Sequence, residues 1–289
     1  MEPTSRIPSS HQPVRSISLP TRIHPSCQRV QALFNHLKPS QERSVSSNLE
    51  AETIQTDLVV LSELYSCMEE LLQHSQTQQA LLKYQQGKMV EEALGGSVTL
   101  LDACGAARDL LLVLREHLQT LQSALRRRRG DSTVESSISA YVSFRKKAKK
   151  EIAKQLGALK RTEIKVSPFP EMGQDQNLIF LARVLKEAGT VTIFALRSLL
   201  VFLSTPRLKT KGSSLVSKLK PTRLFSSEKE QRNTNEGSLC SLIEKGRNNE
   251  AQRILEELVD NMNGIEGGLD CIYRCIVKHR VCFLNMLSH

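Results

Sequence analysis

Large aromatic side chains are scarce in this sequence. It contains no tryptophan, and aromatic residues make up only 4% of its 289 residues. Strands are enriched in aromatic and β-branched residues, whereas leucine and alanine favour helices. A core with so few aromatic rings must be mainly aliphatic. The composition therefore favours packed helices and argues against a β-sandwich.

The sequence also lacks the cysteine pattern of a disulfide framework or a metal site. Its seven cysteines are an odd number, and no apolar secretory segment opens the chain, so we expect free thiols in a reducing compartment. Cys271, Cys275, His279 and Cys282 share one segment, but the first and last are eleven positions apart. That separation is roughly 16 Å along a helix, too far for one tetrahedral ion. We predict no metal and no cofactor.

Motifs of the common enzyme classes are absent as well. The sequence has no P-loop, GxSxG elbow, HExxH, CxxC or glycine-rich dinucleotide turn. Each of these patterns places a phosphate, a nucleophile or a metal in a specific geometry. Their absence leads us to expect a protein that is not an enzyme.

No segment reaches the roughly 20 apolar residues that cross a bilayer. The nearest is residues 178–203, which Arg183, Lys186, Glu187 and Arg197 interrupt. Charges at these positions would be costly in the middle of a membrane. We interpret this segment as a buried helix of a bundle.

Leucine at helical spacing is abundant. Apolar residues that recur at alternating steps of three and four form one stripe of a helix, which must be buried against other helices. One such stripe comprises Leu111, Leu114, Leu118, Leu121 and Leu125. A second comprises Leu255, Leu258, Met262, Ile265, Leu269, Ile272, Ile276, Phe283 and Met286, with His279 in the one slot where an apolar residue is expected.

These patterns predict an all-α bundle of about five to six helices, two of them very long. We divide the chain into a disordered Ser/Pro/Arg-rich tail (1–46), a first part of the bundle (47–204), a basic flexible linker (205–236) and a long C-terminal helix (237–289). Gly95 and Gly96 are predicted to separate two helices, because glycine disfavours helix. Gly264, Gly267 and Gly268 would allow a bend or a close crossing of the C-terminal helix.

Positive charge is concentrated in the middle of the chain. Residues 126–165 hold 13 Lys and Arg against four acidic residues, while residues 236–270 hold eight acidic residues against three basic ones. We favour docking of the acidic C-terminal helix on this basic region; an anionic membrane surface is the alternative. Nucleic acid is disfavoured, since only Tyr141 and Phe144 could stack on bases and no reader motif is present. The candidate residues for an anionic surface are Arg126, Arg127, Arg128, Arg129, Arg145, Lys146, Lys147, Lys149 and Lys150.

The N-terminal tail contains a candidate phosphorylation site. Arg15, Ser16, Ser18 and Pro20 fit the pattern R-S-x-S-x-P, which resembles the phosphoserine ligands of 14-3-3 proteins, with Ser18 as the modified residue. A phosphate adds about two negative charges that an arginine cluster binds well. The same Ser- and Arg-rich tail also resembles a transit peptide, so import into a plastid or mitochondrion is an alternative to a cytoplasmic location.

Several blocks of sequence resemble one known family. They are VRSISLPTRIHP at 14–25, ELYSCMEELL at 63–72, TQQAL at 77–81, LLDACGAARDLLL at 100–112, LQSALRRRRGDS at 121–132, RKKAKKEI at 145–152 and VCFLNMLSH at 281–289. In this order they resemble the land-plant BYPASS-related family. The resemblance implies an all-helical plant protein of root and shoot development, and it supplies no catalytic residues.

We therefore expect a non-catalytic plant protein that acts through protein partners, including 14-3-3 proteins as a candidate. The rival interpretations are a peripheral membrane protein that uses the basic helix end, and an organelle-imported helical protein.

Overall fold

The computed structural model describes residues 25–43, 50–83, 88–127, 131–165, 176–204 and 245–288, together with Leu239, Leu242 and Ile243. These residues form seven helices and no strand, which confirms the predicted all-α bundle. The helices are α1 (Pro25–Arg43), α2 (Ala51–Gln73), α3 (Ser75–Lys83), α4 (Lys88–Arg126), α5 (Asp131–Lys165), α6 (Gln176–Ser204) and α7 (Asn248–Ser288).

The two longest helices, α4 and α7, pack against each other along their apolar stripes. All five predicted leucines of α4 are buried, and so is every predicted stripe residue of α7, including His279. Ion pairs on the flank show that the helices are antiparallel, since α4 numbers fall as α7 numbers rise. The pairs are Arg126–Glu256 (2.8 Å), Arg115–Glu266 and Arg108–Asp270 (3.5 Å).

The remaining helices surround this pair. α5 packs against α4 and α6, and α2 packs against α7, α6 and α1. α6 contains residues 178–203, the segment that comes nearest to the length of a membrane span. Most of its residues from 181 to 203 are buried in the bundle, as predicted. None of the helices in the described ranges is long and apolar enough to cross a membrane.

Helix α1 corrects the prediction that the whole of residues 1–46 is a disordered tail. Val30, Phe34 and Leu37 recur at steps of four and three, and all three are buried in the common core. Ser26 Oγ also donates to Glu70 of α2 at 2.9 Å. Arg29 also pairs with Glu63 of α2 at 2.6 Å. Three apolar residues and these two polar contacts therefore hold α1 in place. The other residues of the predicted tail, and the predicted linker 205–236, lie outside the described residues.

The predicted break at Gly95 and Gly96 is also wrong, because α4 runs through both glycines. Each glycine weakens a helix by about 1 kcal/mol relative to alanine. Val90, Leu94 and Leu100 are buried on both sides of the pair. Their burial offsets the propensity cost and keeps the helix continuous.

The glycines of α7 allow it to approach α2 closely, as one predicted alternative required. A Cβ built on Gly268 would lie 2.9 Å from Leu58 Cβ, and one built on Gly264 would overlap the Gln55 side chain. Gln55 also donates to the carbonyl of Asn261 at 3.2 Å. The missing side chains thus set the distance between α2 and α7.

We expect Gly268→Ala to destabilise the protein by about 1–3 kcal/mol, because the added methyl group must push α2 and α7 apart. Gly267→Ala is a matched control on the same turn, where an added Cβ meets no other atom within 4 Å. This control should raise stability slightly through helix propensity. Urea denaturation measures both changes. Equal shifts in the two variants would refute the close-approach explanation.

Candidate functional site

The exposed side of α5 is strongly charged. It carries six exposed cations that share one helix face, which we call the α5 basic face. Its members are Lys146, Lys147, Lys150, Lys154, Lys160 and Arg161. Small neutral residues (Ala153 and Gly157) lie between them on this face. Three of the lysines come from the sequence prediction, and the last three cations were not among its candidates.

Arg145 does not belong to this surface, which corrects its assignment as an anion-binding candidate. It is only 2% exposed, and its guanidinium donates to the carbonyl oxygens of Leu203 (2.6 Å) and Ser204 (2.5 Å). These carbonyls end α6, where the helix dipole is negative. Arg145 is therefore an internal cap of α6.

The other predicted candidates are spread over different surroundings. Arg126 is bound to Glu256 of α7, while Arg127 is exposed just beyond the end of α4. Lys149 is half-buried. Arg128 and Arg129 lie outside the described residues. Of the predicted single surface, Lys146, Lys147 and Lys150 remain together on α5, and Arg127 lies apart from them, beyond the end of α4.

The predicted docking of the acidic C-terminal helix on the basic region 126–165 is wrong except at Arg126. The acidic residues of α7 pair with arginines of α4, of which Arg126 alone belongs to the 126–165 region. On α5, Glu163 is bound to Arg197 of α6 at 2.8 Å. The α5 basic face therefore remains exposed and is not covered by the acidic residues of α7.

A second exposed feature, which the sequence analysis missed, is an apolar strip at the end of α7. We call Val281, Leu284 and Leu287 the terminal strip; they are 50%, 45% and 40% exposed. They lie beside the buried seam of His279, Phe283 and Met286. The signal was present in the sequence, since this last segment has more apolar residues than one seam can bury.

A chain of polar contacts crosses the interior between three helices. His279 of α7 binds the carbonyl oxygen of Tyr65 on α2 at 2.8 Å, so its Nε2 carries the proton. The rings of Tyr65 and His279 meet edge to face, with centroids 4.9 Å apart. The Tyr65 hydroxyl donates to Thr192 of α6 at 3.0 Å, and Thr192 donates to the carbonyl of Ala188 at 2.7 Å. These groups satisfy one another's hydrogen bonds, so His279 can occupy a slot of the buried stripe.

We expect acidification to weaken the fold through His279. Burial lowers its pKa below the ordinary value of 6.5, more than the Tyr65 carbonyl and Glu69 raise it. Between the folded and unfolded pKa values the unfolded chain binds more protons, so the contribution of His279 is complete above about pH 6.5 and is lost below it. The slope is at most about 1.4 kcal/mol per pH unit.

The measurement is the free energy of unfolding of wild type and His279→Gln between pH 7.5 and 5. Glutamine can still donate to the Tyr65 carbonyl but does not titrate. We expect wild type to lose more stability than the variant over this range. Parallel curves for the two proteins would contradict a buried neutral histidine.

The six cysteines of the described residues are free thiols. Burial raises the pKa of Cys104 to about 12 and, as the largest cause, that of Cys275 to about 11. A thiol that stays protonated at neutral pH is a poor nucleophile and a poor metal ligand. Within the described ranges, no cluster of three or more His, Cys, Asp or Glu side chains could hold a metal ion.

Two open cavities lie on the surface of the described chain. The larger, about 650 Å³, is lined by Arg126, Arg247 and the first turn of α7; both arginines are already paired, with Glu256 and Glu250. The smaller, about 360 Å³, lies between α1 and α6. It is floored by Phe34 and Val191, which are themselves buried. Neither cavity brings together the groups that a general acid–base or nucleophilic mechanism uses.

The phosphorylation candidate cannot be placed in this geometry. Arg15, Ser16, Ser18 and Pro20 lie outside the described residues.

Comparison with known protein families agrees with the resemblance seen in the sequence. The model of the family described as Protein BPS1 matches residues 57–286. This range extends from α2 almost to the end of α7 and contains the α5 basic face and most of the terminal strip. No curated protein and no solved structure shows a significant similarity to the chain. Because the match covers about four fifths of its length, the chain belongs to the Protein BPS1 family, the BYPASS-related family.

Proposed function

We propose that this protein is a non-catalytic plant developmental protein that acts through protein partners. Membership in its family suggests a developmental protein of the BYPASS type. The action through partners, and a role in both root and shoot, are our inference. The observation on which it depends is the exposed terminal strip of α7.

The terminal strip is suited to a protein partner because exposed apolar patches next to a buried core commonly mark interfaces. Its three side chains lie within two helical turns. The buried face of α7 already packs against α2 and α4, so the strip is available to another molecule. A second apolar helix surface, packed across Val281 and Leu284, would bury them as the core buries Phe283 and Met286.

Affinity purification from plant tissue followed by mass spectrometry tests this proposal. The test variant is Val281→Gln/Leu284→Gln, and the control is Val59→Gln/Leu112→Gln, which changes one exposed apolar residue on each of α2 and α4. We expect the test variant to lose a reproducible set of partners that wild type and the control retain. Identical sets from all three proteins, with equal melting temperatures, would contradict the proposal.

The 14-3-3 candidate is tested separately in the same experiment. Ser18→Ala should abolish capture of 14-3-3 proteins from a phosphorylating extract and leave the strip-dependent partners unchanged. Capture that persists at the wild-type level would exclude Ser18 as the docking residue.

We also infer a cytoplasmic location for this activity, and imaging of a C-terminal fluorescent fusion tests it. An organellar signal would favour import into a plastid or mitochondrion instead. Measured turnover of any substrate by the purified protein would contradict the non-catalytic part of the proposal.

A further inference from the structure

The geometry points to the α5 basic face as a docking surface for an anionic lipid layer. This inference is independent of the terminal strip, which lies on α7, and it would bring the bundle to a membrane surface without any segment inserting into it.

The cations of the α5 basic face form a long row. All six are exposed on one side of a single helix. From Lys146 to Arg161 they extend over roughly 22 Å, at 1.5 Å per residue. The residues between them on this face are small, so the cationic side chains project beyond their neighbours. A long flat row of this kind can contact several lipid headgroups at once.

Among the described residues, the acidic side chains of the bundle do not neutralise the charge of the α5 basic face. Glu151 lies at the edge of the face, where it accepts from Gln155 at 2.8 Å and Lys154 at 3.4 Å. Glu163 faces α6, where it pairs with Arg197. Within the described part of the chain, the face therefore has one carboxylate at its margin for six cations, and the field of the surplus positive charge acts outward.

The residue types on the α5 basic face also suit an anionic lipid layer. Five of the six are lysines, which are flexible point charges and do not form the bidentate pairs that arginine makes with individual phosphates. Nonspecific attraction to a charged plane needs only such charges. Single-stranded nucleic acid would also need exposed aromatic rings for stacking. Tyr141 is buried and Phe144 packs against His117 at 4.9 Å, so neither lies on this face.

Vesicle flotation with the full-length protein tests this inference. The probes are vesicles of phosphatidylcholine alone and of phosphatidylcholine with about one third phosphatidylserine. Each cation close to an anionic leaflet strengthens binding about fivefold. We therefore expect Lys147→Gln/Lys150→Gln/Lys154→Gln to weaken binding to the anionic vesicles on the order of 100-fold.

The matched control removes an equal number of positive charges, three, from α7. Arg253→Gln/Arg274→Gln/Lys278→Gln changes exposed residues on a helix that packs on α2 and α4. It should bind anionic vesicles within a few-fold of wild type. Wild-type binding should also fall steeply from 0.1 to 0.5 M salt, as screening shortens the range of the charges. Circular dichroism confirms that each variant is folded.

Three results would overturn the inference. The first is equal binding to neutral vesicles. The second is an equal loss in the α5 and α7 variants, which would show an effect of net charge alone. The third is unchanged flotation of the α5 variant together with lost capture of duplex DNA or of an acidic protein, which would assign the face to that partner.

Discussion

Leu118→Asp should abolish the cooperative folding of this protein. Leu118 lies in the middle of the α4 stripe and has no exposed surface. Removing a buried leucine costs about 2–5 kcal/mol, and burying an unpaired carboxylate adds several kcal/mol more. Because the total stability of a domain is about 5–15 kcal/mol, this one change removes most or all of it. Circular dichroism during heating and urea denaturation measure the loss.

Val113→Asp is the control for this prediction. It introduces the same carboxylate on the same helix, but at an exposed position, so we expect a change within about 1 kcal/mol. If Leu118→Asp kept a melting transition close to that of Val113→Asp, the leucine stripe would be an exposed interface instead of the core. The arrangement of α4 and α7 would then have to be revised.

The long helices could be predicted from the sequence because their signal is local and repeated. Each apolar residue of the α7 stripe is confirmed as buried, and the single exception in the pattern, His279, is buried with its hydrogen bond satisfied. A stripe of nine apolar residues outweighs the unfavourable effect of Gly264, Gly267 and Gly268. Periodicity over many turns is therefore a strong predictor of burial.

Shorter signals were misjudged for a related reason. Among the described side chains of α1, the fully buried apolar residues are Val30, Phe34 and Leu37, and proline, serine and arginine around them suggest disorder. At Gly95 and Gly96 local propensity favours a break, yet the buried residues on both sides keep α4 continuous. In both places tertiary packing outweighs the local preference. The energy of that packing depends on contacts with other helices, which the local sequence does not reveal.

The candidate sites were harder to predict because exposure decides their chemistry. Arg145 and Lys146 are adjacent cations in the sequence, but one is inside the bundle and the other is on its surface. The partner carbonyls of Arg145 lie 58 and 59 residues away. A charge count therefore located the basic region correctly and assigned one of its members to the wrong role. The terminal strip was not predicted because it lies directly beside the seam and is equally apolar. The sequence alone does not tell which of the two rows is exposed.

Arg145→Met should destabilise the protein by about 3 kcal/mol or more. The variant fills most of the space but removes the donors for the Leu203 and Ser204 carbonyls. Hydrogen bonds that involve a charged group contribute about 1.5–3 kcal/mol each, and a buried acceptor left unpaired adds a desolvation cost. The cation also interacts favourably with the negative end of the α6 dipole. Urea denaturation measures the loss, and hydrogen exchange should increase first in the last turn of α6.

Lys146→Met is the matched control, since it removes the neighbouring charge from an exposed position and should change stability by less than about 0.5 kcal/mol. Arg145→Lys should fall between them, because a single ammonium group cannot reproduce the two-pronged geometry that joins one guanidinium to both carbonyls. This order separates a cap from a simple charge effect. If Arg145→Lys were as stable as wild type, only the positive charge would matter. If Arg145→Met were as stable as Lys146→Met, Arg145 would have no structural role. Arg145 would then have to be counted as a member of the α5 basic face.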